Sequence, residues 1–165
     1  MHMINKKQFL DGFVKELDII RHLGTKVDAA MLEYKPTEKQ RTMLELMNYL
    51  GHIFNTGTAL VIEGSSKNYQ EITKDIPEVT LSNFDLVMQM QSKNVIEKIE
   101  ALSDESLAEE VEIFGNKDTR AMHIYGISKW AVAYKMQFFL YIKACGKHDI
   151  NTSNLWRGVD SAPKE

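Results

Sequence analysis

The sequence predicts an all-α fold, an antiparallel four-helix bundle formed as a single domain over residues 1–165. Three observations lead there. Four segments repeat apolar residues at steps of three and four, the period that gathers side chains on one helical face. Breakers separate these segments: Pro36, then Gly64-Ser65-Ser66 and Pro77, then Gly115-Asn116. Hydrophobic residues make up 44% and charged residues 26%, a mixture that folds around a core and does not stay disordered.

The first helix is expected from about Lys6 to Met31, with Leu10, Phe13, Leu17, Ile20, Gly24, Val27 and Met31 on its inner face. Gly24 in that row permits a close helix approach or a bend. The second helix is expected to start at Thr42, where Glu45 three residues later completes a capping-box pattern. Its row is Leu46, Tyr49, Ile53, Gly57 and Leu60, and it stops at Gly64-Ser65-Ser66. A connection of seventeen residues follows, Gly64 to Thr80, far longer than a tight helical hairpin needs. It reads as a crossover along the bundle or as a lid.

The third helix is expected from Leu81 or Ser82 to Leu102, with Phe84, Met88, Gln91, Val95, Ile99 and Leu102 inward. Gln91 is polar in an apolar row: an edge residue, a satisfied buried amide or a ligand contact. The acidic stretch Asp104–Glu112 reads as solvated surface, with a short hairpin possible about Gly115-Asn116. The fourth helix runs from Thr119 or Arg120 to Cys145, with Gly146 as its cap. Apolar residues lie on most of its sides, so it is expected to be the most buried helix. The core is thus expected over residues 6–146. The tail, residues 147–165, has Leu155 and Trp156 as anchors.

Composition excludes several classes. A net charge of −3 offers no basic face for nucleic acid. Cys145 is the single cysteine, so no internal disulfide forms and a reducing compartment is the default. The segment Met1–Leu10 has no long apolar run of the secretory kind. Gly126–Ile142 is the most apolar stretch, yet Lys129 and Lys135 interrupt it and it is shorter than the ~20 residues of a membrane span. The expectation is a cytoplasmic protein without membrane or nucleic-acid partners.

The motifs of common chemistries are missing. His2, His22, His52, His123 and His148 include no pair three or four apart, and no Glu-x-x-His occurs. There is no nucleophile elbow, phosphate loop or dinucleotide fingerprint. Cys145 sits at a helix C-terminus, where the dipole disfavours a thiolate. His52 lies about 60° around the helix from Tyr49, on the shoulder of the inner row. His123 shares a stripe with Trp130 near the start of the last helix. Each reads as an interface histidine or as a ligand contact.

The last helix contains Gln137, Tyr141, Lys143 and Gly146 in a Gln-x-x-x-Tyr-x-Lys-x-x-Gly pattern, and the second opens with Arg41-Thr-Met-Leu-Glu-Leu46. With the four-helix layout and long middle connection, these stretches resemble the DinB-like (YfiT-like) bundles over roughly residues 6–160. The resemblance implies a divalent metal held by three histidines, one on the second helix and two four apart on the last. By motif, those positions are Tyr49, Trp130 and Tyr134 here, so all three ligands are replaced. The pocket positions expected from this are Tyr49, Trp130 and Tyr134, with His52, Gln91 and His123 as possible contacts, and no metal or other cofactor. Trp130 and Tyr134 are expected to be buried against the second helix near Tyr49. Three functions are compatible: a metal-free bundle binding a small molecule or a protein partner, a metal-dependent hydrolase or thiol S-transferase as the resemblance implies, and a structural dimerisation module. A homodimer is expected.

Overall fold

The computed structural model describes residues 4–162 and is mostly helical. The elements are α1 (Lys6–Gly24), a 3-10 turn (Ala29–Met31), α2 (Met43–Leu50), α3 (Ile53–Glu63), α4 (Tyr69–Thr73), α5 (Phe84–Glu100), α6 (Asp104–Ala108), β1 (Glu110–Ile113), β2 (Asn116–Thr119), α7 (Arg120–Ala144) and α8 (Thr152–Arg157). The bundle is α1, α3, α5 and α7: α1 packs on α5 and α7, and α3 packs on the same two. Its core includes Leu17, Leu23, Leu46, Phe54, Met88, Ile127 and Phe138. Among the described residues no helix is long and apolar enough to cross a membrane.

Local chemistry sets the helix ends. Asn5 and Gln8 form a capping box on α1. Thr42 and Glu45 form the expected one on α2: the Glu45 amide donates to Thr42 Oγ1 at 3.2 Å and the Thr42 amide to Glu45 Oε2 at 2.7 Å. Gly24 serves close approach, since a β-carbon there would sit 2.5 Å from the Phe84 ring of α5.

The expected second helix is two. It breaks at Gly51-His52, between α2 and α3. A β-carbon on Gly51 would lie 2.5 Å from Val79 Cγ2, so the bend is where the long connection passes. Gln91 of α5 repairs the break. Its Oε1 accepts the amides of Phe54 and Asn55, both at 3.1 Å, and its Nε2 donates to the Leu50 carbonyl at 2.8 Å. The opening amides of α3 and the last carbonyl of α2 are thereby satisfied, which buried backbone requires.

The connection is a crossover that carries α4 and returns to the bundle at Val79. Asn48 holds Val79 from both sides, its Nδ2 donating to the Val79 carbonyl at 3.0 Å and its Oδ1 accepting the Val79 amide at 2.8 Å. The acidic stretch forms α6 and then β1, whose Val111 and Ile113 point inward. β1 and β2 are an antiparallel hairpin with Ile113 opposite Asn116. The turn residues are therefore Phe114 and Gly115, one position earlier than expected. Both have positive φ, 50° and 78°, as a tight two-residue hairpin turn demands.

Thr119 caps α7, and the helix ends at Cys145, followed by Gly146 at φ 97°. Burial of α7 corrects the expectation. Its inner row, Ile124, Ile127, Ala131, Phe138 and Ile142, is buried. Its opposite face leaves Met122 48%, Tyr125 47%, Val132 42% and Leu140 54% exposed. A four-helix arrangement gives each helix two neighbours, and neither covers that face. In the tail, Leu155 is buried as expected, whereas Trp156 is 50% exposed and rests one face on Lys135.

Candidate functional site

Tyr49 projects from the last turn of α2 and Tyr134 from the middle of α7. Their ring centroids are 4.9 Å apart at 56°. The His52 ring stands edge-on to Tyr49 at 5.8 Å, and the Arg41 guanidinium lies 4.2 Å above the Tyr49 ring centroid. Burial, reinforced by a hydrogen bond with Tyr134, pushes the Tyr49 phenol well above its ordinary range. Burial and then the Arg41 charge hold His52 below the usual histidine value, favouring the neutral ring. His52 Nδ1 is buried and has no partner among the described residues.

Trp130 is not buried as expected: it is 39% exposed. It precedes Ala131 of the inner row by one residue and so turns ~100° away from it. Its ring edge lies over Gly57 of α3, where an added β-carbon would meet Trp130 Cζ3 at 3.1 Å. Gly57 thus makes room for the indole edge while the rest faces solvent.

The other residues singled out by sequence go elsewhere. Gln91 spends its amide on the α2–α3 break, the satisfied-amide reading. His123 turns toward the hairpin, with Nε2 3.2 Å from the Val111 carbonyl oxygen. His22 contacts Asn154 Nδ2 at 3.0 Å. His2 lies outside the described residues. Among the described residues no group of three or more His, Cys, Asp or Glu side chains comes together to hold an ion. The Cys145 thiol is pushed up, chiefly by burial and then by Asp28, so it is a poor nucleophile.

Two buried charges escaped the sequence reading. Arg120 opens α7 and caps α3, donating to the carbonyls of Val61 at 3.0 Å and Ile62 at 3.4 Å, and to Ser106 and Glu109. Lys135 is wholly buried, with Nζ 2.5 Å from Glu16 Oε2 and 4.5 Å from the Trp156 ring centroid. The Lys135–Glu16 contact is a charge pair, not an aligned hydrogen bond. The one sequence signal was a lysine interrupting an apolar run.

No family model and no curated protein matches the chain. A solved structure does match: a DinB-like protein from Bacillus subtilis, with a TM-score of 0.71 and 18% identity, covering 87% of this chain and 96% of that one. The fold is DinB-like. Within this DinB-like bundle the two stretches that carry the sequence resemblance touch. Gln137 Nε2 donates to the Tyr141 hydroxyl at 3.1 Å, and that hydroxyl donates to the Arg41 carbonyl at 3.2 Å. The bond fixes the start of α2 against the end of α7 and places Arg41 beside the Tyr49–Tyr134 pair.

Proposed function

We propose that this DinB-like bundle is metal-free and acts by binding a small molecule or a protein partner, as a homodimer. The observation that carries the reading is the contact between Tyr49 and Tyr134, with His52 and Arg41 packed on Tyr49. By motif these tyrosines and Trp130 stand where the resemblance implies three imidazoles. The residues present do not fit such an ion. Indole has no lone pair to donate, and a phenol held protonated is a weak ligand. What remains is an aromatic surface, a neutral imidazole and an arginine whose side chain makes no ion pair among the described residues. Such a surface suits recognition better than water activation.

The test is a pair of calorimetric titrations with Zn²⁺ and Ni²⁺, supported by elemental analysis. The wild type is expected to take up no stoichiometric metal. The triple variant Tyr49→His, Trp130→His, Tyr134→His is expected to bind, because the i,i+4 pair on α7 then reaches one ion together with the imidazole on α2. Tight one-to-one binding by the wild type overturns the metal-free reading in favour of a hydrolase or transferase. A folded triple variant that binds nothing overturns the positional assignment.

A further inference from the structure

We propose that the Tyr49–Tyr134 site binds a small aromatic carboxylic acid, with the acid group on the free edge of the Arg41 guanidinium and the ring against Tyr134 and Trp130; the proposal rests on the small-molecule reading above. The argument begins with how Arg41 is held. Its carbonyl oxygen accepts the Tyr141 hydroxyl at 3.2 Å, and that hydroxyl is held in turn by Gln137. Its guanidinium sits over the Tyr49 ring, 4.2 Å from the centroid. An arginine resting on an aromatic face keeps a planar fork of N–H donors that matches the two oxygens of a carboxylate. Among the described residues no carboxylate of the chain takes that fork: the arginine ion pairs are made by Arg21 and Arg120.

Charge sets the sign of the ligand. Arg41 also lines a polar groove of about 460 Å³ ahead of α2, with Lys35, Lys39, Glu38 and Glu45. Both carboxylates are engaged, Glu38 by Lys35 and Glu45 by the Thr42 amide. Lys39 and Arg41 have no ion pair among the described residues, so positive charge is in excess there. His52 is held toward its neutral form and does not cancel it. A cationic ligand would be repelled by Arg41 and would find the Tyr49 face taken. An anion meets neither obstacle.

The neighbouring rings set the rest. Trp130 stands one turn before Tyr134 on the same side of α7, ~6 Å along the helix. It is 39% exposed and pairs with no other ring among the described residues. Exposed indole beside a phenol offers a flat ring apolar contact and stacking. Arg41 and Tyr134 touch the same Tyr49 ring, at 4.2 and 4.9 Å, so an acid of one or two rings reaches both. An aliphatic acid would leave the indole uncovered.

Calorimetric titration and amide NMR of the whole chain test this with 2-naphthoate and with 2-naphthalenemethanol, its uncharged counterpart. Naphthoate is expected to bind one to one, at least tenfold more tightly than the alcohol, with shifts centred on Tyr49, Trp130 and Tyr134. Arg41→Gln is expected to erase that difference while leaving the alcohol's affinity unchanged. Trp130→Ala is expected to weaken both probes, and Trp130→Leu, which keeps apolar volume, replaces it should helical circular dichroism fall. Lys93→Gln, on the exposed surface of α5, is expected to alter neither. Equal binding of acid and alcohol by the wild type, or a difference that survives Arg41→Gln, overturns the carboxylate assignment and leaves the small-molecule reading standing. Shifts confined to another face of the bundle overturn the placement. No binding of either probe at millimolar concentration overturns the aromatic-acid site, whereas the metal-free reading falls only on metal uptake in the titrations above.

Discussion

Gln91 Nε2 donates to the Leu50 carbonyl oxygen at 2.8 Å, joining α5 to the end of α2 across 41 positions of sequence. The same amide accepts from Phe54 and Asn55. Replacing it with an apolar side chain of similar length orphans two amides and a carbonyl in a buried site. Each buried unsatisfied group costs ~1–3 kcal/mol. Gln91→Met is therefore expected to destabilise the fold by about 3 kcal/mol in urea denaturation. A loss below about 1 kcal/mol would show that water replaces the amide at the break.

The Lys135–Glu16 pair is asymmetric, and its variants are expected to be so too. Lys135 is fully buried, whereas the Glu16 side chain is 22% exposed. Glu16→Gln leaves an ammonium inside the bundle against the Trp156 face, and breaking a buried pair this way costs ~3–5 kcal/mol. Lys135→Met leaves a carboxylate that reaches water and puts a flexible apolar chain among apolar neighbours, for a loss of about 1 kcal/mol or less. Equal losses in chemical denaturation would contradict this account.

Stability is expected to fall on both sides of neutrality. His22 and His52 are held below the ordinary 6.5, His22 by burial and Lys26, His52 by burial and Arg41. The unfolded chain therefore takes up their protons first as pH falls, so stability is intact above 6.5 and is lost below it. Tyr49 is shifted the other way. Its unfolded form ionises near 10.0 while the folded phenol stays protonated, so stability is lost as pH rises through that value. Urea midpoints across the pH range, with histidine titration by NMR, check both arms. His52→Phe is expected to flatten the acid arm, and Tyr49→Phe the alkaline one.

How much was legible in the sequence follows from how local each determinant is. The Thr42–Glu45 box and the Gly146 stop are decided within a few residues, and both stand where expected. The α2–α3 break is not local: Gly51 yields to Val79 and the repair comes from Gln91, neither visible in the periodicity around residue 51. The hairpin was visible as a glycine turn but one residue off, because Phe114 takes a positive φ that side chains seldom adopt. At the candidate site, motif spacing foretold the Tyr49–Tyr134 meeting, since both lie on rows facing one another. It misjudged the burial of Trp130: the indole shares Tyr134's side of α7 but stands one turn earlier, with one edge over Gly57 and 39% of the residue exposed. The pairings of Arg120 and Lys135 were not legible because their partners, Val61 and Glu16, belong to other elements.

The reciprocal clasp of Asn48 on Val79 also marks where this chain tolerates growth. Ser65 pairs with Glu112 at the near end of the crossover, and Val79 is fastened at the far end. Between them the backbone makes an excursion whose two feet are fixed independently of its length. Doubling such an excursion costs only ~0.6 kcal/mol of closure entropy. Residues 66–78 are thus the natural place to splice in a tag or a foreign peptide, with α5 still delivered to its place between α1 and α3.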